Sequence, residues 1–216
     1  MQLFIDSANL DEIRKAVELG LCDGVTTNPT LLAKEKESPE EIYRTICEMV
    51  NGPVCAETIG QTKDEIITEG RKLKSIHENI VVKIPCTLDG LAAVRVLEQE
   101  NIHTNVTLIF TPLQALLAAK AGATYVCPFV GRLDDAAHEG MELIRQILAI
   151  FENYGFLTQV IVASVRGVMH VLDSALAGAH VVTVPFAVLE KIVKHPLTDA
   201  GVAAFLKDWQ KTKRRA

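Results

Sequence analysis

Apolar runs rich in β-branched residues recur about every 20 to 30 residues along this chain, and stretches of helical periodicity separate them. That alternation narrows the possible folds more than any other feature, because parallel strands need a crossover connection and a helix usually supplies it. Eight strands are expected, at Gln2 to Asp6, Gly24 to Asn28, Val54 to Ile59, Ile80 to Pro85, Ile102 to Ile109, Tyr125 to Val130, Val160 to Val165 and Val181 to Pro185. Helix starts carry local signals between them. Ser38-Pro39 with Glu41 forms a capping box with proline in the first turn, Thr62 with Glu65 forms another, and Thr111-Pro112 opens a third helix. Eight parallel strands alternating with helices close into a (β/α)8 barrel, an α/β fold for which 216 residues lie near the lower limit, so the loops must be short.

No linker or low-complexity segment divides the sequence, so residues 1–216 are read as one barrel domain. Two helical segments remain after the eighth strand, Phe186 to Lys194 and Thr198 to about Lys211, and the second carries the single tryptophan, Trp209. That surplus helix, about 198–211, reads either as an arm used in homo-oligomer contacts or as a cover for its own barrel. The net charge of -5 gives no footing for nucleic acid. The short basic tail Lys211-Thr212-Lys213-Arg214-Arg215 reads as a solvated helix end. Five cysteines without CxxC pairing or zinc spacing are expected to be reduced, and no metal site is expected. No run reaches membrane-spanning length, and the start Met1-Gln2-Leu3-Phe4-Ile5-Asp6 is not a signal peptide, so a cytoplasmic protein with no membrane partner is expected.

Within the fourth strand, Ile80-Val81-Val82-Lys83-Ile84-Pro85 places one lysine in an apolar run. Low dielectric disfavours an ammonium, and a partly neutral lysine can attack a carbonyl to form a Schiff base. The opposing reading is a strand-end lysine whose stem packs while its head reaches water. Side-chain alternation supplies company for it. Asp6, Glu57, Lys83, Asn105, Thr107, Phe129, Ser164 and Arg166 are read on the lumen-facing parity, with Thr26 and Asn28 sharing one face of the second strand.

Taken singly, these residues have plainer explanations: Asp6 and Asn28 as helix caps, Ser164 satisfying a loop, and Glu57 with Lys83 as an ion pair that keeps the lysine charged. Taken together they argue for a catalytic site near the strand C-termini, since a lumen filled for stability favours branched apolar residues. A lysine Schiff base would turn a ketose carbonyl carbon into an electron sink, and Asp6 is the better candidate for the base that starts carbon–carbon cleavage. Glu57 and Thr107 would hold a water for imine formation. Arg132, Ser164 and Arg166, on the loops after the sixth and seventh strands, suit a substrate phosphate.

The runs Phe4-Ile5-Asp6-Ser7-Ala8, Gly24-Val25-Thr26-Thr27-Asn28-Pro29-Thr30, Val82-Lys83-Ile84-Pro85 with Gly90-Leu91, Asn105-Val106-Thr107-Leu108-Ile109-Phe110 and Pro128-Phe129-Val130-Gly131-Arg132 closely resemble the short bacterial and archaeal transaldolases. The resemblance runs from the first strand to Trp209. It implies a class I aldolase-type barrel that needs no cofactor and acts on sugar phosphates. It implies Lys83 as the Schiff-base lysine, Asp6 as the acid/base of cleavage, and Glu57 with Thr107 as the pair around a catalytic water. Thr26, Asn28 and Asn105 would contact a dihydroxyacetone unit, and Arg132, Ser164 and Arg166 a phosphate.

The implied reaction transfers dihydroxyacetone from sedoheptulose 7-phosphate to glyceraldehyde 3-phosphate in the pentose phosphate pathway. The implied assembly is a homo-oligomer, a pentamer or decamer. Fructose 6-phosphate aldolases share most of these motifs but carry Gln where Glu57 stands and Tyr where Phe129 stands, so those two residues favour transfer over release of free dihydroxyacetone. Cys127, on the lumen parity, stands where longer transaldolases have Ser. A barrel that binds sugar phosphates without catalysis is the remaining alternative.

Overall fold

In a computed structural model that describes residues 1–213, eight parallel strands pair in chain order and the eighth closes on the first. Arg214 and Arg215 of the basic tail lie outside the described residues. The strands are β1 (Gln2–Asp6), β2 (Gly24–Thr26), β3 (Val54–Glu57), β4 (Ile80–Pro85), β5 (Thr104–Ile109), β6 (Tyr125–Pro128), β7 (Gln159–Val162) and β8 (Val181–Val184). Around them run α1 (Leu10–Glu18), α2 (Pro29–Leu32), α3 (Pro39–Met49), α4 (Lys63–Lys74), α5 (Leu88–Gln99), α6 (Pro112–Ala121), α7 (Val130–Asp135), α8 (Gly140–Tyr154), α9 (Val168–Ala177), α10 (Phe186–Ile192) and α11 (Pro196–Lys213). This is the (β/α)8 architecture that the alternation requires, with an extra C-terminal helix.

The helices begin where their caps dictate. Ser38 with Glu41, Thr62 with Glu65 and Thr111 with Gln114 form reciprocal capping boxes, and each satisfies amide donors that a helix start otherwise leaves bare. Two apolar shells hold the barrel. Between strands and helices, residues such as Ile5, Ile46, Val82, Leu97, Val106 and Ile144 are fully buried. Inside the lumen, Phe4, Cys55, Val81, Tyr125, Cys127, Ile161, Ala163 and Val181 fill the floor, with Phe129 packed on top. At the N-terminal rim Glu98 of α5 ties β5 to β6, for one carboxylate oxygen accepts from the backbone and hydroxyl of both Thr104 and Thr124.

Three expectations are corrected here. The second strand stops at Thr26, because Asn28 leaves the sheet to cap α2 by accepting from the Leu31 amide. The seventh stops at Val162 with an isolated bridge at Ala163, and its lumen parity belongs to Ile161 and Ala163, so Ser164 and Arg166 do not share it. Ser164 instead adopts a left-handed backbone with φ of 62°, which turns the chain across the barrel mouth. The fifth strand begins at Thr104 rather than Ile102.

α11 does not cover its own barrel. Val202, Phe205, Leu206 and Trp209 are all exposed, Phe205 at 77% and Trp209 at 61%.

Candidate active site

Strand register builds the site. Glu57 stands directly opposite Lys83 on the neighbouring strand, and Lys83 opposite Asn105 on the next, so alternation turns all three inward at one level. Lys83 is only 3% exposed, and the reading in which its ammonium reaches bulk water fails. Its Nζ donates to the Glu57 Oε2 at 2.9 Å and to the Thr27 carbonyl at 2.9 Å.

That pairing sets a carboxyl group and a carbonyl against the amine that the sequence reading expects to be partly neutral. Burial works against the proton, while Cys127, Glu57 with its hydrogen bond, and Asp6 act the other way, and the Lys83 pKa is shifted upward from its usual value. Cys127 also faces the lysine, yet burial pushes its own thiol up to about 12, so at neutral pH it brings no charge.

Asp6 ends β1 on the opposite wall. Burial raises its pKa, against the pull of Lys83 and a hydrogen bond from Thr26. Thr26 Oγ1 donates to Asp6 Oδ1 at 2.9 Å, and the same hydroxyl lies 2.6 Å from Thr183 Oγ1 on β8. A carboxyl whose ionised form is disfavoured and whose hydrogen-bond partner is a hydroxyl is suited to taking up and giving back a proton.

A cavity of about 220 Å³ opens above these groups at the C-terminal end of the strands. Asp6, Thr26, Asn28, Lys83, Phe129, Arg132, Ser164 and Arg166 all line it, as do Thr30, Leu31, Cys127, Ala163 and Thr183. Arg132 sits on α7 rather than on a loop, with its guanidinium 4.8 Å from the Phe129 ring centroid, and Phe110 meets the same ring edge-on at 5.8 Å. Arg166 pairs with Asp135 at 2.6 Å, and its backbone amide donates to His170 Nδ1, whose other nitrogen meets Asp134 at 2.7 Å. Gly131 lets the two arginine segments approach, since a β-carbon there would lie 1.9 Å from the Ser164 carbonyl and 2.9 Å from the Arg166 side chain.

Glu57, Asn105 and Thr107 do not line that cavity. Glu57 is among the residues that line a second crevice, with Pro29, Leu32, Tyr43 and Ile59. Asn105 and Thr107 are fully buried, and Asn105 Oδ1 and Thr107 Oγ1 have no hydrogen-bond partner among the described residues. Such orphaned acceptors beside an ion pair make a polar floor able to bind a small donor. Thr183 escaped the sequence reading, although it was legible as the one polar side chain in Val181-Val182-Thr183-Val184.

A family model described as transaldolase/fructose-6-phosphate aldolase matches residues 3–216. A "probable transaldolase" of Thermodesulfovibrio yellowstonii is 59% identical over 214 residues, covering 99% of this chain and 100% of that protein. Another from Aquifex aeolicus is 58% identical over 211 residues, covering 98% of this chain and 97% of its own length. Among solved structures, a thiamine phosphate pyrophosphorylase from Pyrococcus furiosus superposes with a TM-score of 0.58 at 16% identity, covering 85% of each chain, a likeness of fold alone. On its sequence, its barrel and its full-length match, this chain belongs to the transaldolase/fructose-6-phosphate aldolase family.

Proposed function

We propose that the protein is a transaldolase, moving a dihydroxyacetone unit reversibly from sedoheptulose 7-phosphate to glyceraldehyde 3-phosphate to give erythrose 4-phosphate and fructose 6-phosphate. One observation carries the reading: a buried lysine flanked by Glu57 at 2.9 Å and sharing its cavity with Asp6, beneath a mouth that holds Arg132 and Arg166. The ammonium must give up a proton before it attacks the ketose carbonyl, and Glu57 is the acceptor at hand. Loss of water from the carbinolamine gives an iminium, with Glu57 and Thr107 ordering that water. Asp6 then takes the proton from the hydroxyl beyond the adjacent carbon, whose oxygen electrons form the carbonyl of the departing aldehyde. The electron pair of the broken carbon–carbon bond moves onto the iminium and leaves an enamine on Lys83.

Thr26, Asn28 and Asn105 hold the three-carbon unit, while Arg132, Ser164 and Arg166 hold the phosphate as charge-assisted donors. Phe129 brings no hydroxyl to the enamine, which therefore waits for an aldehyde acceptor rather than being protonated and released. The reading places the enzyme in the pentose phosphate pathway and in the cytoplasm, where its five free cysteines would stay reduced. It is one barrel domain working as a homo-oligomer, for which the apolar face of α11 is the supporting feature.

Incubation with fructose 6-phosphate and borohydride should leave a reduced dihydroxyacetone adduct on Lys83 by mass spectrometry. A folded protein that gives no adduct would be a binding barrel and not an enzyme of this type. Dihydroxyacetone release without acceptor, as fast as transfer, would make it an aldolase instead.

A further inference from the structure

Thr183 projects from β8, and Thr26 from β2, on the two sides of β1, the strand that carries Asp6. Both residues are buried, at 1% exposure, and their hydroxyls are each other's partners. Each has one hydrogen to give. In its ionised form the Asp6 carboxylate only accepts, so in that state the 2.9 Å contact places the hydrogen of Thr26 on Asp6 Oδ1. At 2.6 Å, Thr183 must then be the donor to Thr26. The result is a directed chain, Thr183 to Thr26 to Asp6, in which each bond polarises the next.

We propose that Thr183 is a positioning residue for proton transfer at Asp6: by donating to Thr26 it commits the Thr26 hydrogen to the carboxylate and sets how readily Asp6 takes up a proton. The chain favours the charged carboxylate and so opposes the burial that disfavours it. Without Thr183, the Thr26 hydroxyl loses its donor and the negative charge of Asp6 loses part of its stabilisation. The other groups facing Asp6 are Thr26 on β2, Glu57 and Cys55 on β3, Lys83 on β4 and Cys127 on β6, with Arg132 and Arg166 at the mouth. The two thiols are pushed up to about 11 and about 12 and stay neutral across the relevant range. The charged groups are untouched by a change at Thr183.

The importance for turnover rests on the Schiff-base reading, since there Asp6 receives the hydroxyl proton as the carbon–carbon bond breaks. The hydrogen-bond chain itself does not rest on it. The decisive measurement is the 13C NMR titration of the Asp6 carboxyl carbon, assigned by its disappearance in Asp6→Asn, in wild type, Thr183→Val and Thr183→Ser. Valine keeps the shape and removes the hydroxyl, and Thr183→Ala serves if the valine variant does not fold. The midpoint is expected to rise by roughly half to one pH unit, the worth of one hydrogen bond, and to return in the serine variant.

The acidic limb of kcat/KM for transfer should move by the same amount, while the pH profile of borohydride trapping on Lys83 stays in place. An unmoved carboxyl midpoint in Thr183→Val, or an equal shift in Thr183→Ser, overturns the proposal. A carboxyl shift with no movement of the kcat/KM limb overturns the role in turnover. Absence of any Lys83 adduct in wild type would sink the Schiff-base reading alone, and the carboxyl titration would still decide the chain.

Discussion

At the scale of single residues, the site sets one buried charge against two others, and the arrangement makes each acid do something different. Glu57 is hydrogen-bonded to the Lys83 ammonium, whereas Asp6 accepts from a hydroxyl and has a raised pKa. That rise has a consequence for stability. Below the unfolded value of 3.8 Asp6 is neutral in both states; as pH climbs past it, the unfolded chain loses this proton before the folded one, and the penalty on folding grows until the raised folded pKa is passed and stays in full above it. Asp6→Asn is therefore expected to match wild type in melting temperature near pH 3.5 and to be the more stable protein at pH 7, while kcat falls by on the order of 10² to 10⁴ with the loss of a general base. An Asn variant less stable than wild type at pH 7 would contradict the burial argument. Phe129→Tyr puts a proton donor over the enamine, so acceptor-independent dihydroxyacetone release should rise on the order of tenfold or more relative to transfer, read by coupled assay. An unchanged ratio would mean that the ring at this position does not govern enamine fate.

Among the elements, β3, β4 and β5 carry Glu57, Lys83 and Asn105 by register alone, and their inward orientation follows from a period of two. These residues, with Thr107 and the helix caps, were legible in the sequence for that reason. β7 was not, because its continuation through Val165 rested on apolar composition, and the left-handed turn at Ser164 is not encoded by a glycine or proline. Arg166 reaches the cavity through that turn and is held there by Asp135 and by His170, contacts that span 31 and 4 residues respectively. On the opposite rim the Glu98 carboxylate joins α5 to β5 and β6, so Glu98→Ala would strand donors on the buried Thr104 and on Thr124. The expected cost is roughly 2–4 kcal/mol in urea denaturation, with kcat little changed in the folded fraction because the rim lies at the far end of the strands. A loss under about half a kcal/mol would show that water replaces the carboxylate without difficulty.

For the molecule as a whole, the helix that the barrel does not use is the open question for assembly. α11 presents Val202, Phe205, Leu206 and Trp209 to solvent in the single chain, and on the proposed homo-oligomer this face carries subunit contacts. A Phe205→Glu and Trp209→Glu double variant should drop to smaller species by light scattering, with its far-UV circular dichroism retained; an unchanged mass would place the subunit contacts elsewhere. The sequence by itself determined the eight-fold alternation, the caps, and which residues of β1 and β3 to β6 face the lumen, because those follow from local periodicity and the stereochemistry of the chain. Only closure of the barrel decided the rest. Thr26 and Thr183, 157 residues apart, meet beside Asp6 because β8 pairs with β1, and Lys83 meets Glu57 because β3 pairs with β4. A lysine in an apolar strand says that burial will act on it; its protonation depends also on neighbours distant in sequence, whose Coulomb and hydrogen-bond interactions in a low dielectric oppose the cost of desolvation.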